Sequence, residues 1–157
     1  VIWSDSSQLK ALNIQFRIVD NELKEVYLKE NAIIISQNDS LHYNQIKGFE
    51  ITGFLDNQKL KKAVVNRRSE TIYYLEDENT GELSAMNKTR CRQMNVYFKN
   101  GLAERVVWLS EPVGQVLPME QLNGANMYFN EFEWLDFLRP QNRFDIYNWK
   151  THDSKIR

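Results

Sequence analysis

The chain has 157 residues, of which 42% are hydrophobic and 26% are charged, values typical of one folded domain with its own core. Its formal net charge of −1 argues against a general nucleic-acid binder, which usually carries a basic face. No apolar stretch reaches the roughly 18 residues that a membrane-spanning helix requires, and Cys91 has no second cysteine with which to form an intrachain disulfide.

The chain opens with VIWSDSSQ, which has the pattern of a strand already under way. We therefore expect residues 1–118 to be the C-terminal part of a longer β-roll.

Residues 12–18 (LNIQFRI) alternate between apolar and polar side chains, so the apolar residues fall on one face of a strand. Asp20 and Asn21 follow, and both residue types tolerate the positive φ of a hairpin turn. The pattern predicts a strand, a turn and a second strand, in place of the short helix that residues 20–32 would also allow.

The same pattern occurs three times. The segments LKEVYLKENA (23–32), LKKAVVNRRS (60–69) and AERVVWLSEP (103–112) each follow a polar turn and carry apolar residues at their first, fourth and sixth positions. A hairpin buries one face only and is marginal alone, so the copies are expected to stack and share a core. The predicted fold class is all-β, with repeated hairpins forming an open roll of two antiparallel sheets.

After Pro118 the alternation ends and aromatic residues become frequent. The apolar residues of 131–138 have helical spacing, and Pro140 would end a helix there. We predict a mostly helical or irregular cap over one end of the roll at residues 119–149, followed by a flexible tail at 150–157.

Few residues are placed to carry catalysis. His42 and His152 lie in polar segments, far in sequence from Cys91. Arg90 and Arg92 could lower the pKa of the Cys91 thiol, but no motif supplies it with a base, so a half-exposed strand cysteine is the preferred interpretation. Nucleotide-binding, zinc-protease and hydrolase motifs are absent from the sequence. We predict no catalytic residue, no metal site and no cofactor, and hence no enzyme.

The alternating strands contribute a large apolar set. It comprises Leu12, Ile14, Phe16, Leu28, Ile51, Val65, Met94, Val96, Phe98, Val106 and Trp108. The set could fill a dry core between the sheets. It could also line a groove for an apolar ligand, which a roll that does not close tightly can accommodate.

A basic set flanks the second hairpin. It comprises Lys59, Lys61, Lys62, Arg67 and Arg68. These residues could protect an edge strand from pairing with a neighbouring chain. They could also contact the phosphates of an anionic amphiphile.

Several longer segments carry a family resemblance. LKEVYLKENAIIIS, IKGFEITGFL (46–55), TIYYLEDENTGELSAMNKTR (71–90), VLPMEQL (116–122) and FEWLDFLRPQNRFDIY (132–147) together extend over almost the whole chain. The chain resembles the OstA-like (LptA-type) family of periplasmic lipopolysaccharide-transport proteins, and its ending resembles a longer branch of that family. The resemblance implies a β-jellyroll or β-taco fold.

The resemblance also implies a function. Acyl chains of lipopolysaccharide, or of another anionic lipid, would lie in the apolar groove, and edge strands would join other OstA-like roll domains into a bridge through the periplasm. The alternative is an assembly module with a dry core that recruits outer-membrane partners and binds no lipid. Neither role involves nucleic acid or a membrane-spanning segment. Pro112 and Pro118 depart from the family pattern and should interrupt strand pairing near the third hairpin.

Overall fold

The computed structural model describes residues 1–142 and 144–145, and it confirms a mostly antiparallel β architecture. Among the described residues, nine strands form one sheet: Ile2–Ser4 (β1), Ser7–Lys10 (β2), Asn13–Val19 (β3), Glu22–Gln37 (β4), Tyr43–Asp56 (β5), Lys59–Glu76 (β6), Leu83–Lys99 (β7), Leu102–Leu109 (β8) and Val113–Pro118 (β9). Neighbouring strands follow the order β1, β2, β4, β5, β6, β7, β8; in addition, β3 pairs with β4, and β9 pairs with β7.

Three tight turns produce the predicted hairpins. Asp20–Asn21, Asn57–Gln58 and Asn100–Gly101 all have positive φ, the conformation that two-residue hairpin turns require. The flanking strands pair antiparallel as β3–β4, β5–β6 and β7–β8. The hairpin pattern of the repeat is therefore confirmed in all three copies.

A second pair of left-handed residues follows ten positions after each turn, at Glu30–Asn31, Arg67–Arg68 and Ser110–Glu111. The first two pairs coincide with register shifts in β4 and β6, and the third lies in the gap between β8 and β9, directly before Pro112. Gly48 of β5 lies beside these two register shifts. A Cβ on Gly48 would lie 2.5 Å from a side-chain carbon of Val65. Such irregularities bend strands, so the sheet bends along one line that crosses its strands.

The bend divides the sheet into two halves. The turn half holds β3, residues 22–29, 50–56, 59–66 and 93–99, and β8. The opposite half holds β1, β2, residues 32–37, 43–47, 69–76 and 83–90, and β9.

The two halves face each other across the main core. That core includes Leu28 from the turn half and Ile34 from the opposite half. The indole Nε1 of Trp108 on β8 donates a hydrogen bond to Oγ1 of Thr71 on the opposite half, at 3.2 Å. Because the long strands continue through the bend, the architecture is one continuous bent sheet and not the two separate sheets that the sequence predicts.

Residues 119–138 lie along the outer face of the opposite half, not across one end of the roll. Their aromatic side chains pack on a second core, formed by Ile33, Ile35, Tyr43, Ile72, Tyr74, Met86 and Phe129. Of the predicted cap, residue 143 and residues 146–149 lie outside the described residues, as does the predicted tail at 150–157.

Two buried glutamines attach this segment to the sheet. Gln8 donates to the carbonyl of Glu133 and accepts a hydrogen bond from the N–H of Leu135, both at 2.7 Å. Gln45 likewise donates to the carbonyl of Met127 and accepts a hydrogen bond from the N–H of Phe129, both at 2.9 Å.

Of the two alternatives for this segment, mostly helical or irregular, the structure shows the irregular one, and Gln8 of the sheet binds the Glu133 carbonyl and the Leu135 N–H in place of helical partners. The segment is irregular, with single 3₁₀ turns at Met119–Gln121 and Asp136–Leu138. Within the described part of the chain, no helix has the length and apolar character needed to cross a membrane.

Candidate binding surfaces

The structure brings most of the predicted groove residues into the main core. Leu28, Ile51, Val65, Met94, Val96 and Phe98 are buried there, and Ile14, Val106 and Trp108 pack against it while partly buried. Leu12 and Phe16 are exceptions, with 73% and 51% of their surface exposed.

The six buried residues occupy the space between the two halves of the sheet. They are between 0% and 6% exposed. Close packing of this kind is typical of a protein core. Between the two halves of the sheet, the six buried members of the apolar set therefore form a packed interior.

The turn half has two outer strands, β3 and β8, each of which pairs on one side only within the described part of the chain. Among the described residues, β3 pairs with β4 only, so its other edge presents free backbone N–H and C=O groups. Phe16 and Ile18 on this strand are exposed, Ile18 by 66%. An unpaired strand with exposed apolar side chains is typical of a surface that another strand covers.

An apolar cavity of about 390 Å³ lies beside this edge. Phe16 and Ile18 from β3 line it together with Leu9, Leu23 and Leu55. It lies between the hairpin turns of the turn half and β1, and it reaches the main core at Leu9. This cavity is the part of the interior that solvent can enter from the β3 edge.

The predicted basic set does not form one site. Lys59, Lys61 and Lys62 lie at the turn end of β6, whereas Arg67 and Arg68 lie at the bend. At about 3.3 Å per strand residue, Lys61 and Arg68 are roughly 23 Å apart along β6. Strand β6 pairs with β5 on one side and, from Lys62 onward, with β7 on the other, so most of the set does not lie on an edge strand.

Two members of the set already have partners. The Nζ of Lys62 lies 6.0 Å from the ring centre of Phe54 and 5.7 Å from that of Tyr97. The guanidinium of Arg67 lies 5.6 Å from the ring centre of Phe49, and its Nη1 lies 3.9 Å from a carboxylate oxygen of Glu50. Cation–π contacts of this kind bind the side chains to the sheet surface.

The bend also gathers cations that sequence reasoning did not group. Arg90 and Arg92 on β7 line clefts together with Arg68 of β6. The signal in the sequence is Arg90-Cys91-Arg92, where the two arginines also bear on the pKa of the thiol. The cross-strand pairing that joins these residues to β6 becomes visible only in the structure.

The side chains that could take part in catalysis, His42 and Cys91, make structural contacts. The His42 ring bonds to the Asp39 carboxylate, which in turn accepts hydrogen bonds from the N–H groups of Leu41 and His42 in the β4–β5 turn. Cys91 is buried and its thiol donates to the Gln93 carbonyl, and burial raises the pKa of the thiol. A raised pKa keeps a thiol protonated and unreactive.

No cluster of three or more His, Cys, Asp or Glu side chains that could hold a metal ion occurs among residues 1–142, 144 and 145. His152 lies outside the described residues. Comparison with protein-family models, with curated proteins and with solved structures finds no match for this chain.

Proposed function

We propose that this chain is an outer-membrane assembly module of the OstA-like kind, which joins a further β-roll by strand pairing along the free edge of β3. The observation that carries the proposal is the coincidence of an unpaired edge with the exposed apolar residues Phe16 and Ile18 on one strand. Strand addition at such an edge supplies backbone hydrogen bonds, and the side chains of the strand supply selectivity.

The order of the sheet indicates what the partner contributes. Strands β2 and β3 together form one bent strand, since β2 pairs beyond the bend of β4 and β3 pairs before it. In the opposite half, β1 pairs with the free side of β2. In the turn half, no strand of the described part of the chain pairs with the corresponding side of β3. An edge strand of a second roll fits this position because it would continue the same sheet.

The packed interior favours the assembly role over carriage of lipid through the whole roll. A groove that carries acyl chains needs space between the two halves, and the main core fills that space with side chains such as Leu28 and Met94. The family resemblance supplies the setting of the proposal, which is the periplasm and the lipopolysaccharide-transport bridge.

A second candidate function is binding of one acyl chain at the β3 edge. The cavity of about 390 Å³ supports it, because apolar side chains line most of its wall. Lys59 and Lys61 flank Leu60 on β6 and are exposed, so they point to the opposite face of the sheet from the cavity. The cavity thus suits the acyl chain of an amphiphile, but no described residue of its wall supplies a cation for the headgroup.

Matched charge substitutions on the two edges test the assembly role. Ile18→Lys places a cation on β3, and Val116→Lys makes the same kind of change on exposed β9. In a Gram-negative cell that depends on this chain, we expect Ile18→Lys to reduce lipopolysaccharide delivery to the outer membrane and Val116→Lys to leave it unchanged. Equal delivery by the two variants, with equal thermal stability, would contradict the proposal.

Photo-crosslinking tests the second candidate. A photo-reactive residue at Leu55, on the cavity wall, should give a lipopolysaccharide adduct, whereas one at Phe98, in the packed core, should give none. Adducts at both positions would favour a groove through the whole roll. Adducts at neither would exclude lipid binding and leave the assembly role standing.

A further inference from the structure

We propose that the outer side of the bend binds a phosphate group between Arg68 of β6 and Arg90 and Arg92 of β7. This inference does not depend on strand pairing at β3. The two proposals use different residues and different ligands, so each can fail without the other.

Two adjacent clefts form the candidate site, with volumes of about 670 and 440 Å³. Arg68, Cys91 and Arg92 line both clefts, and Arg90 lines the second. The buried Cys91 lies in the strand between the two β7 arginines. Because β6 and β7 pair antiparallel through the bend, Arg68 lies beside the Arg90–Arg92 stretch.

The three arginines are exposed, and no ion pair engages any of them within the described part of the chain. A guanidinium group keeps its charge at every pH of interest and carries five donors. Three such groups beside one cleft therefore leave many charge-assisted donors without a protein acceptor.

Nearby carboxylates cancel only part of this charge. Glu70 pairs with Lys47 at 3.2 Å, and Glu50 lies 3.9 Å from Arg67, so both acids already face other cations. Glu111 lines the second cleft and is the remaining acid there. The balance of charge at the clefts is positive, which matches an anion with more than one negative charge.

The chemistry of the donors favours phosphate among anions. The planar guanidinium fork binds two oxygens of one phosphate at once, a geometry that a lysine ammonium cannot reproduce. Arg68 and Arg92 approach from neighbouring strands, so one phosphate could accept such a pair of bonds from each strand. Lipid headgroups and free phosphate compounds share this chemistry.

Inorganic pyrophosphate is the first probe. Adding it to the full chain should shift the side-chain Nε–Hε NMR signals of Arg68, Arg90 and Arg92 together, with one dissociation constant. Arg92→Gln should weaken binding at least tenfold, as expected when a charge-assisted bidentate contact is lost. Arg92→Lys keeps the charge but loses the fork, so it should bind more weakly than the unmodified chain.

Lys61→Gln is the matched control. It removes one exposed cation from the same strand as Arg68, at the turn end, and should leave pyrophosphate binding unchanged. Arg68→Asn tests the second strand, and asparagine tolerates the left-handed φ of 53° at this position. If Lys61→Gln weakens binding as much as Arg92→Gln, or if the arginine signals do not move, the site does not exist.

Vesicles separate the two sources of phosphate. We would compare phosphatidylcholine vesicles with vesicles that also contain phosphatidic acid. Binding to phosphatidic acid that Arg92→Gln abolishes would assign the site to a lipid headgroup. Pyrophosphate binding without vesicle binding would assign it to a soluble phosphate compound. The absence of both would overturn the proposal.

Discussion

The side-chain amide of Gln45 binds the backbone on both sides of Tyr128, at the Met127 carbonyl and the Phe129 N–H, as a neighbouring strand would. Its Oε1 accepts a hydrogen bond from the N–H of Phe129 at 2.9 Å, and its Nε2 donates to the carbonyl of Met127 at 2.9 Å. Gln45 is completely buried and Phe129 nearly so. One side chain thus satisfies two backbone groups of an irregular segment that has no strand partner of its own.

Replacing this amide should be costly. Gln45→Leu keeps much of the volume but leaves a buried N–H and a buried carbonyl unpaired, each at about 1–3 kcal/mol. We expect a loss of about 2–4 kcal/mol in the free energy of unfolding, measured by denaturant titration. Gln115→Leu on exposed β9 is the control and should change stability by less than about 0.5 kcal/mol. Similar values for both variants would show that the amide bonds contribute little.

Two leucines of the predicted groove set differ sharply in environment. Leu28 is 0% exposed in the main core, whereas Leu12 is 73% exposed between β2 and β3. Leu28→Ala should lower the free energy of unfolding by about 2–5 kcal/mol, and Leu12→Ala by less than about 0.5 kcal/mol. The measurement uses lipid-free protein. A cost below about 1 kcal/mol for Leu28→Ala would indicate an open groove in place of a packed core.

Acid should loosen the attachment of the C-terminal segment. Lys47 donates to the carboxylate of Glu131 at 3.1 Å. Burial acts to raise the pKa of Glu131, but the hydrogen bond and charge of Lys47 contribute in the other direction, and the pKa lies below its usual value. A lowered folded-state pKa stabilises the fold above the unfolded-state value of about 4.3, and this contribution disappears as the pH falls through the folded-state pKa.

The melting temperature as a function of pH checks this expectation. Between about pH 5 and 3, the unmodified chain should lose more stability than Glu131→Gln, which has no carboxylate to titrate. Glu120→Gln, an exposed position in the same segment, should follow the unmodified chain. If all three curves have the same slope, the pair contributes nothing to the pH dependence.

In the hairpin turns, we expect one substitution to raise the free energy of unfolding and another to lower it. Gln58 has a φ of 62°, so Gln58→Gly should stabilise the chain by about 1 kcal/mol by relieving a conformation that costs a side chain about 1–2 kcal/mol. Gly101→Ala should destabilise it, because φ is 78° and a Cβ would lie 2.6 Å from the Cβ of Asp5. Thermal unfolding of both variants tests the turn geometry, and a stabilising Gly101→Ala would contradict it.

The hairpins could be predicted from the sequence because the patterns that indicate them lie within a few neighbouring residues. Alternation over residues 12–18 and turn residues such as Asn57 depend on the backbone preferences of a few neighbours. The bend has a weaker local signal. Residues Glu30–Asn31 and Arg67–Arg68 differ in type yet adopt the same left-handed conformation, so no residue type shared by the repeats marks the bend.

Two other differences from the prediction concern contacts between residues distant in sequence. The apolar spacing of 131–138 is helical, but Gln8, more than a hundred residues earlier, binds this backbone in an irregular form. Phe16 has the alternation of a buried residue, yet it lies on a strand with one side free. Which strands lie at the edge depends on sheet order, which alternation does not encode.

Photo-crosslinking from Gln15, with sequencing of the crosslinked peptide, tests strand pairing at β3 most directly. Gln15 lies in the middle of the free strand and is exposed. Val64, on the central strand β6, is the control position. We predict that Gln15, but not Val64, crosslinks to an edge strand of a second β-roll, either an OstA-like partner or another copy of this chain. Crosslinks from both positions alike, or none from Gln15 in folded protein, would contradict the proposal that β3 is the joining edge.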